Sequence, residues 1–277
     1  MNKTNYWFSA VASLFLLLAG VHSQAQNGPD KWTGNQKRAH VKCGTHSLQA
    51  AVDRAAEGAE IVVDGVCTEA VVIEKDRIRI SGTPGATVQA PAGSIAFTVL
   101  ADGVVISDLA IVGGLIGIDI AKGASADITG NDIRDYSESG IVIRANSNAE
   151  IIGNVIDGPD GSFTAIGLIA GASAQIAGNV ITSRGFGINV GATSSAFLSD
   201  NTVTLLNPGF VGLVVGRTSH LGFEAGRPNT VINTGPGAAL FCSQTSSMLV
   251  SENQTLEPAF FVHPTCEVLR LNGATIP

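Results

Sequence analysis

Beyond residue 58 the apolar residues come in short runs that alternate with period two and stop at Gly, Asn, Ser or Asp. That is strand and turn chemistry, without the three-to-four spacing of an amphipathic helix. The runs repeat. ADITGNDI (126–133), AEIIGNVI (149–156), AQIAGNVI (174–181) and AFLSDNTV (196–203) align without gaps, and VVISDLAI (104–111) continues the series upstream with Asp108 read in the Asn place. Asn131, Asn154, Asn179 and Asn201 stand 23, 25 and 22 positions apart. Each unit carries a second alternation: GIDI (117–120), GIVI (140–143), AIGL (165–168), GINV (187–190) and VGLVV (211–215).

A period of 22 to 25 residues built only from short strands predicts a β-solenoid. Leucine-rich repeats have a similar period but need a Leu framework, where this chain has Ile, Val, Ala and Gly. In a solenoid, like positions stack about 4.8 Å apart. The four Asn residues then form a structural ladder, each amide bonding the next at a tight turn where strands leave backbone groups unsatisfied.

This pattern resembles the right-handed parallel β-helix repeat of pectate-lyase-like proteins and many secreted bacterial proteins, over roughly residues 59–250. The stretch 47–82 is similar to the entry segment of that superfamily, which implies a short helix closing the end of the barrel. Local residues support it independently: Ser47 can cap a helix over 48–56, Leu48, Ala51, Val52 and Ala55 give it an apolar face, and Gly58 can end it. The expected fold is therefore all-β, a single right-handed parallel β-helix with one capping helix.

The start of the chain adds a compartment. Lys3, an apolar run from Phe8 to Ala19 and the triplet Ser23, Gln24, Ala25 read as a secretory signal cut after Ala25. The run is shorter than the roughly 20 residues of a membrane span, so no stable membrane anchor is expected. Residues 26–42 read as a polar N-terminal segment and 43–277 as the β-helix domain. The chain without residues 1–25 has 15 Lys and Arg against 23 Asp and Glu, an acidic balance that excludes a nucleic-acid partner.

Four cysteines in an exported chain suggest two disulfides, for which three pairings are formally possible. Cys43 and Cys67 are 24 apart, as are Cys242 and Cys266. One coil of separation places each pair on neighbouring rungs within disulfide reach, so these are the expected pairs, one at each end of the stack. Free thiols or metal ligation are the alternatives.

In proteins of the resembled family, sugar-binding or catalytic grooves often lie on one outer strand row and its bordering loops. By alignment that row is Asp119, Val142, Gly167, Asn189 and Val214, followed two residues on by Ala121, Arg144, Ile169, Gly191 and Gly216. It is mostly small and apolar, unlike a groove where acids and bases converge. The loops 134–139, 157–164, 182–185 and 205–210 are richer. Asp135, Asp157, Asp160, Arg144 and Arg184 form the candidate catalytic set, with Glu138 beside them: two carboxylates for acid–base work on a glycosidic bond, or Ca²⁺ held against a uronate while an Arg removes a proton. None of the tighter signatures of polygalacturonases, pectin methylesterases or pectate lyases is visible, and acids beside Gly, Pro and Ser also make ordinary soluble turns. Asp127 and Glu150, each four residues before a ladder Asn, form a second column with Gln175 that is the candidate cation site, with Ca²⁺ as the only cofactor considered. Arg134 and Asp157, each three residues after an Asn, read as a surface ion pair.

Two function classes follow. One is a secreted or periplasmic polysaccharide lyase, hydrolase or epimerase; the other is a non-catalytic carbohydrate-binding or surface-structural module. Both take a carbohydrate polymer as partner.

Overall fold

The computed structural model describes residues 38–207, 209–235, 237–243, 245–250, 254–257 and 260–270. The segment read as a secretory signal and most of the one read as a polar lead-in therefore lie outside the described residues. Among the described residues three parallel sheets build a right-handed solenoid: sheet I with eleven strands, sheets II and III with nine each. Each coil visits them in the order I, II, III, as in Ser125–Thr129, Asp132–Arg134 and Ser139–Arg144. The first strand of sheet I is Arg38–Lys42, in the segment read as polar lead-in, and it pairs in register with Glu60–Asp64.

The core is a set of stacked columns. Ile106, Ile128, Ile151, Ile176 and Leu198 lie in register on sheet I and are fully buried. Each such side chain contributes about 1.5–3 kcal/mol of burial. Where the coils between Ala96 and Ala239 enter sheet III the inward position is Gly or Ala, and the reason is steric: a Cβ on Gly117 would stand 2.6 Å from the Gly140 carbonyl oxygen and 2.8 Å from an Ile133 methyl. That explains why GIDI, GIVI and GINV each begin with Gly.

The Asn ladder forms as expected, between sheets I and II. The Asn131 backbone N–H and Nδ2 both donate to Asn154 Oδ1, at 2.9 and 3.1 Å, and Asn131 Nδ2 also donates to the Ile106 carbonyl. Asn154, Asn179 and Asn201 repeat this arrangement on the next rungs. The upstream assignment needs correcting: Leu109, not Asp108, occupies the ladder position, donating its N–H to Asn131 Oδ1. Asp108 instead takes the left-handed turn position that Gly130, Gly153, Gly178 and Asp200 hold on later coils, with φ of 57°. Asp tolerates that conformation better than most residues, which is why it substitutes for Gly there. Downstream the ladder continues through Asn229 to Gln254. The 28-residue step from Asn201 to Asn229 breaks the 22-to-25-residue period, although NTVT (201–204) and NTVI (229–232) match.

The single helix among the described residues, Leu48–Arg54, is two residues shorter than expected at its C-terminal end, closing at Ala55 rather than at Gly58. Ser47 caps it by accepting from Ala50 N–H at 3.1 Å. The first coil holds both ends: Glu69 accepts from the Leu48 and Gln49 N–H groups, and Lys75 Nζ donates to the Val52, Asp53 and Ala55 carbonyls. An acid at the N-terminus and a cation at the C-terminus also match the helix dipole. Leu48 and Val52 close the end of the core.

Both expected disulfides are present, with Cα separations of 4.8 Å for Cys43–Cys67 and 6.1 Å for Cys242–Cys266. Among the described residues no helix is long and apolar enough to cross a membrane.

Candidate functional site

The loops 134–139, 157–164, 182–185 and the described residues of 205–210 all lie at the corner where sheet II passes into sheet III, on four consecutive coils. Three of the five candidate residues meet there. Arg184 reaches back one coil: its guanidinium stands 3.4 Å from both Asp157 and Asp160 and donates to the Gly158 carbonyl at 2.9 Å. Asp135 sits one coil earlier, exposed, with φ of 60°.

Arg144 has a different partner. As the last residue of its sheet III strand it projects outward and donates through Nε to Asp119 at 2.7 Å. Asp119 is only 7% exposed, and burial is the main reason its carboxyl is raised above the ordinary range; Arg144 opposes this and the charge of Glu138 adds to it. The candidate set therefore divides into Arg184 with Asp157 and Asp160 at the corner, and Arg144 with Asp119 on the sheet. The Asp119 partnership was legible in principle, since the two residues are 25 apart and lie on neighbouring rungs, Arg144 two residues beyond the Val142 that is in register with Asp119. The Arg134–Asp157 pair is in register as expected, but the ion pair does not form: Arg134 turns to Asp132 on its own strand, and Asp157 to Arg184.

Beneath the corner loops lies Tyr136, fully buried, whose hydroxyl has no hydrogen-bond partner among the described residues, as is true of the Ser162 hydroxyl. Burial first, and the Asp157 charge second, push its phenol well above the usual value. Gly158 is required above it: a Cβ there would stand 2.7 Å from the Tyr136 hydroxyl.

Aromatic residues were not part of the expected site, yet they supply its most regular feature. Phe163, Phe186 and Phe210 form a file along the corner, with ring centroids 5.5 and 5.2 Å apart in edge-to-face contact. Phe163 is 52% exposed. The file continues the coil hydrogen bonding, Phe163 N–H to the Glu138 carbonyl and Phe186 N–H to the Phe163 carbonyl. The sequence signal was available: the three rings are 23 and 24 residues apart, the coil period itself.

The column on sheet I also forms, with Asp127 paired to Glu150 and Glu150 to Gln175. Among the described residues no three His, Cys, Asp or Glu side chains gather in a way that could hold a metal. Burial raises the Asp127 carboxyl above its ordinary 3.8, with the charge of Arg79 working against the shift. An acid raised on folding holds its proton more tightly in the folded state. Its contribution is thus fully present below pH 3.8 and is lost as pH rises through the folded value. Asp127→Asn should accordingly melt higher than the parent at pH 7, the gap closing below about pH 4. Thermal melts across that range check this, and a Ca²⁺-dependent rise in the parent that the variant lacks would instead mark a cation site.

The description of the right-handed β-helix region matches residues 61–226 and 116–259, most of the chain. The chain belongs to the right-handed β-helix family. No curated protein sequence matches this β-helix protein. Among solved structures it is similar to a pectin methylesterase in complex with a hexasaccharide, at 11% identity over 87% of this chain and 91% of that one, with a TM-score of 0.48. It is also similar to an alginate lyase from Paenibacillus sp. str. FPU-7, at 15% identity over 86% and 99%, with a TM-score of 0.26. Likeness at these identities is one of backbone course and assigns no role to any residue of this β-helix.

Proposed function

We propose that this β-helix protein is exported and binds a carbohydrate polymer along the corner between sheets II and III, as a binding or surface module. The observation that carries the proposal is the file Phe163, Phe186, Phe210, which places one ring per coil beside the Arg184–Asp157–Asp160 cluster. A surface that repeats once per strand spacing suits a periodic chain better than a compact metabolite. Two disulfides suit an oxidising compartment. Binding rather than cleavage is favoured because each candidate Arg is already matched by an acid, Arg184 at the corner and Arg144 on the sheet.

Acid–base catalysis on sheet III is the second reading, favoured by one observation: Asp119 is buried, raised above the usual carboxylate range and held beside Arg144. The two are separated by incubating the protein with uronate and neutral polysaccharides and reading retention, unsaturated products and new reducing ends. The binding reading expects retention without products. Product formation that drops at least ~100-fold in both Asp119→Asn and Arg144→Ala, the usual scale for a positioned acid or base, would replace it with the catalytic one.

A further inference from the structure

The charge and aromatic pattern of the corner reaches further than the general carbohydrate reading on which it rests. We propose that the file Phe163, Phe186, Phe210 is a subsite for an uncharged glycan, and that the corner rejects polyuronates.

The first part follows from the rings. Phe163 leaves about half its surface in water at a cost of roughly 25 cal/mol per Å² of apolar area, and it does so in line with two further rings at the coil period. The face of a phenyl ring is electron-rich and attracts weakly positive hydrogens. A pyranose presents such hydrogens as a patch of C–H groups on one face, whereas its hydroxyls lie around the rim. The exposed Phe163 ring therefore takes a sugar unit by its apolar face and asks no charge of it, while Phe186 and Phe210, edge-to-face behind it, extend the apolar strip along the corner.

The second part follows from the electrostatics. Strand ends and loops of this corner between 132 and 186 carry Asp132, Asp135, Glu138, Asp157 and Asp160 against Arg134 and Arg184. Both arginines are engaged, Arg134 by Asp132 and Arg184 by Asp157, Asp160 and the Gly158 carbonyl. A uronate carboxylate would have to displace an acid from Arg184 and then sit among the remaining carboxylates, where like charges repel. Bridging by a divalent cation would relieve that repulsion, but among the described residues no three acids gather to hold one. A neutral chain meets neither obstacle. Its polar rim finds Arg184 and the exposed Asp157 and Asp160 oxygens as hydrogen-bonding groups.

The test is affinity electrophoresis of the full mature protein through gels containing a neutral glucan, a galactomannan, polygalacturonate or alginate, the last two with and without Ca²⁺. Retardation by a neutral glycan is expected, unchanged by salt between about 0.05 and 0.5 M, a range that screens charge–charge attraction strongly. Phe163→Ala should weaken it at least ~10-fold, the size of an interface hot spot, and Phe163→Tyr should restore it. Because Phe163 is half exposed, the Ala variant should keep the parent's melting temperature, and the Tyr variant reports on the ring if it does not. Retardation by a uronate polymer, with or without Ca²⁺, overturns this inference and leaves the carbohydrate reading standing. Retardation by none of the four polymers overturns both.

Discussion

Asn154→Leu is expected to destabilise the fold by about 3–5 kcal/mol, among the largest effects available to a single substitution outside the hydrophobic core. Asn154 is fully buried, and its Oδ1 accepts from both the backbone N–H and Nδ2 of Asn131 while its Nδ2 donates to the Ile128 carbonyl and to Asn179 Oδ1. Leucine is close in size but removes all of these bonds at once. It leaves the Asn131 N–H and the Ile128 carbonyl buried without those partners, at about 1–3 kcal/mol each. Asn154→Asp should be as damaging at neutral pH although it is isosteric, because a carboxylate oxygen would then face the Ile128 carbonyl and Asn179 Oδ1 where a donor is needed. Denaturant melts of both variants check this. Asp200→Asn, at an exposed turn position of the next coils, should stay within about 0.5 kcal/mol of the parent. A ladder variant that behaved like it would show that the amides are replaceable.

The second large effect is expected from the end clamps. Replacing Cys43 and Cys67 together by Ser should cost about 3–4 kcal/mol, the chain-entropy value for a loop of about 25 residues. The bond ties the turn after Arg38–Lys42 to the strand Val66–Cys67, so it joins the edge strand of sheet I to the start of sheet II just where the helix covers the core. A solenoid unfolds most readily from its ends because an end coil has only one neighbour. Reduced or doubly substituted protein should therefore lose protection first at the amides of Arg38–Lys42 and the helix Leu48–Arg54, as hydrogen exchange would show, while Ile128 and Ile151 remain protected. Uniform loss along the stack would mean instead that the whole solenoid opens as one unit.

By itself the sequence determined the architecture, because a solenoid makes its contacts between residues one coil apart and so writes its tertiary structure as a period. Asn131, Asn154, Asn179 and Asn201 recur at 22 to 25 residues because each must hydrogen-bond the next. The same arithmetic paired Cys43 with Cys67 and Cys242 with Cys266, and Ser47 marked the helix start. Only the tertiary structure decided what changes within the period. The one-residue register of Asp108 against Leu109 depended on which of them takes the left-handed turn, and the Asn229 rung was hidden by a longer loop. Ion partners were legible only in part, as candidates one coil apart, for a different reason. Arg144 and Arg184 are long side chains with several acids in reach, and whether each meets Asp119 or Asp157 and Asp160 is set by side-chain direction across rungs, which spacing does not encode. The phenylalanine file lies between these cases: its period was written in the chain, but its meaning depended on the rings being on the outside, and only the folded corner shows Phe163 in solvent while Phe97, on an earlier coil, is wholly buried.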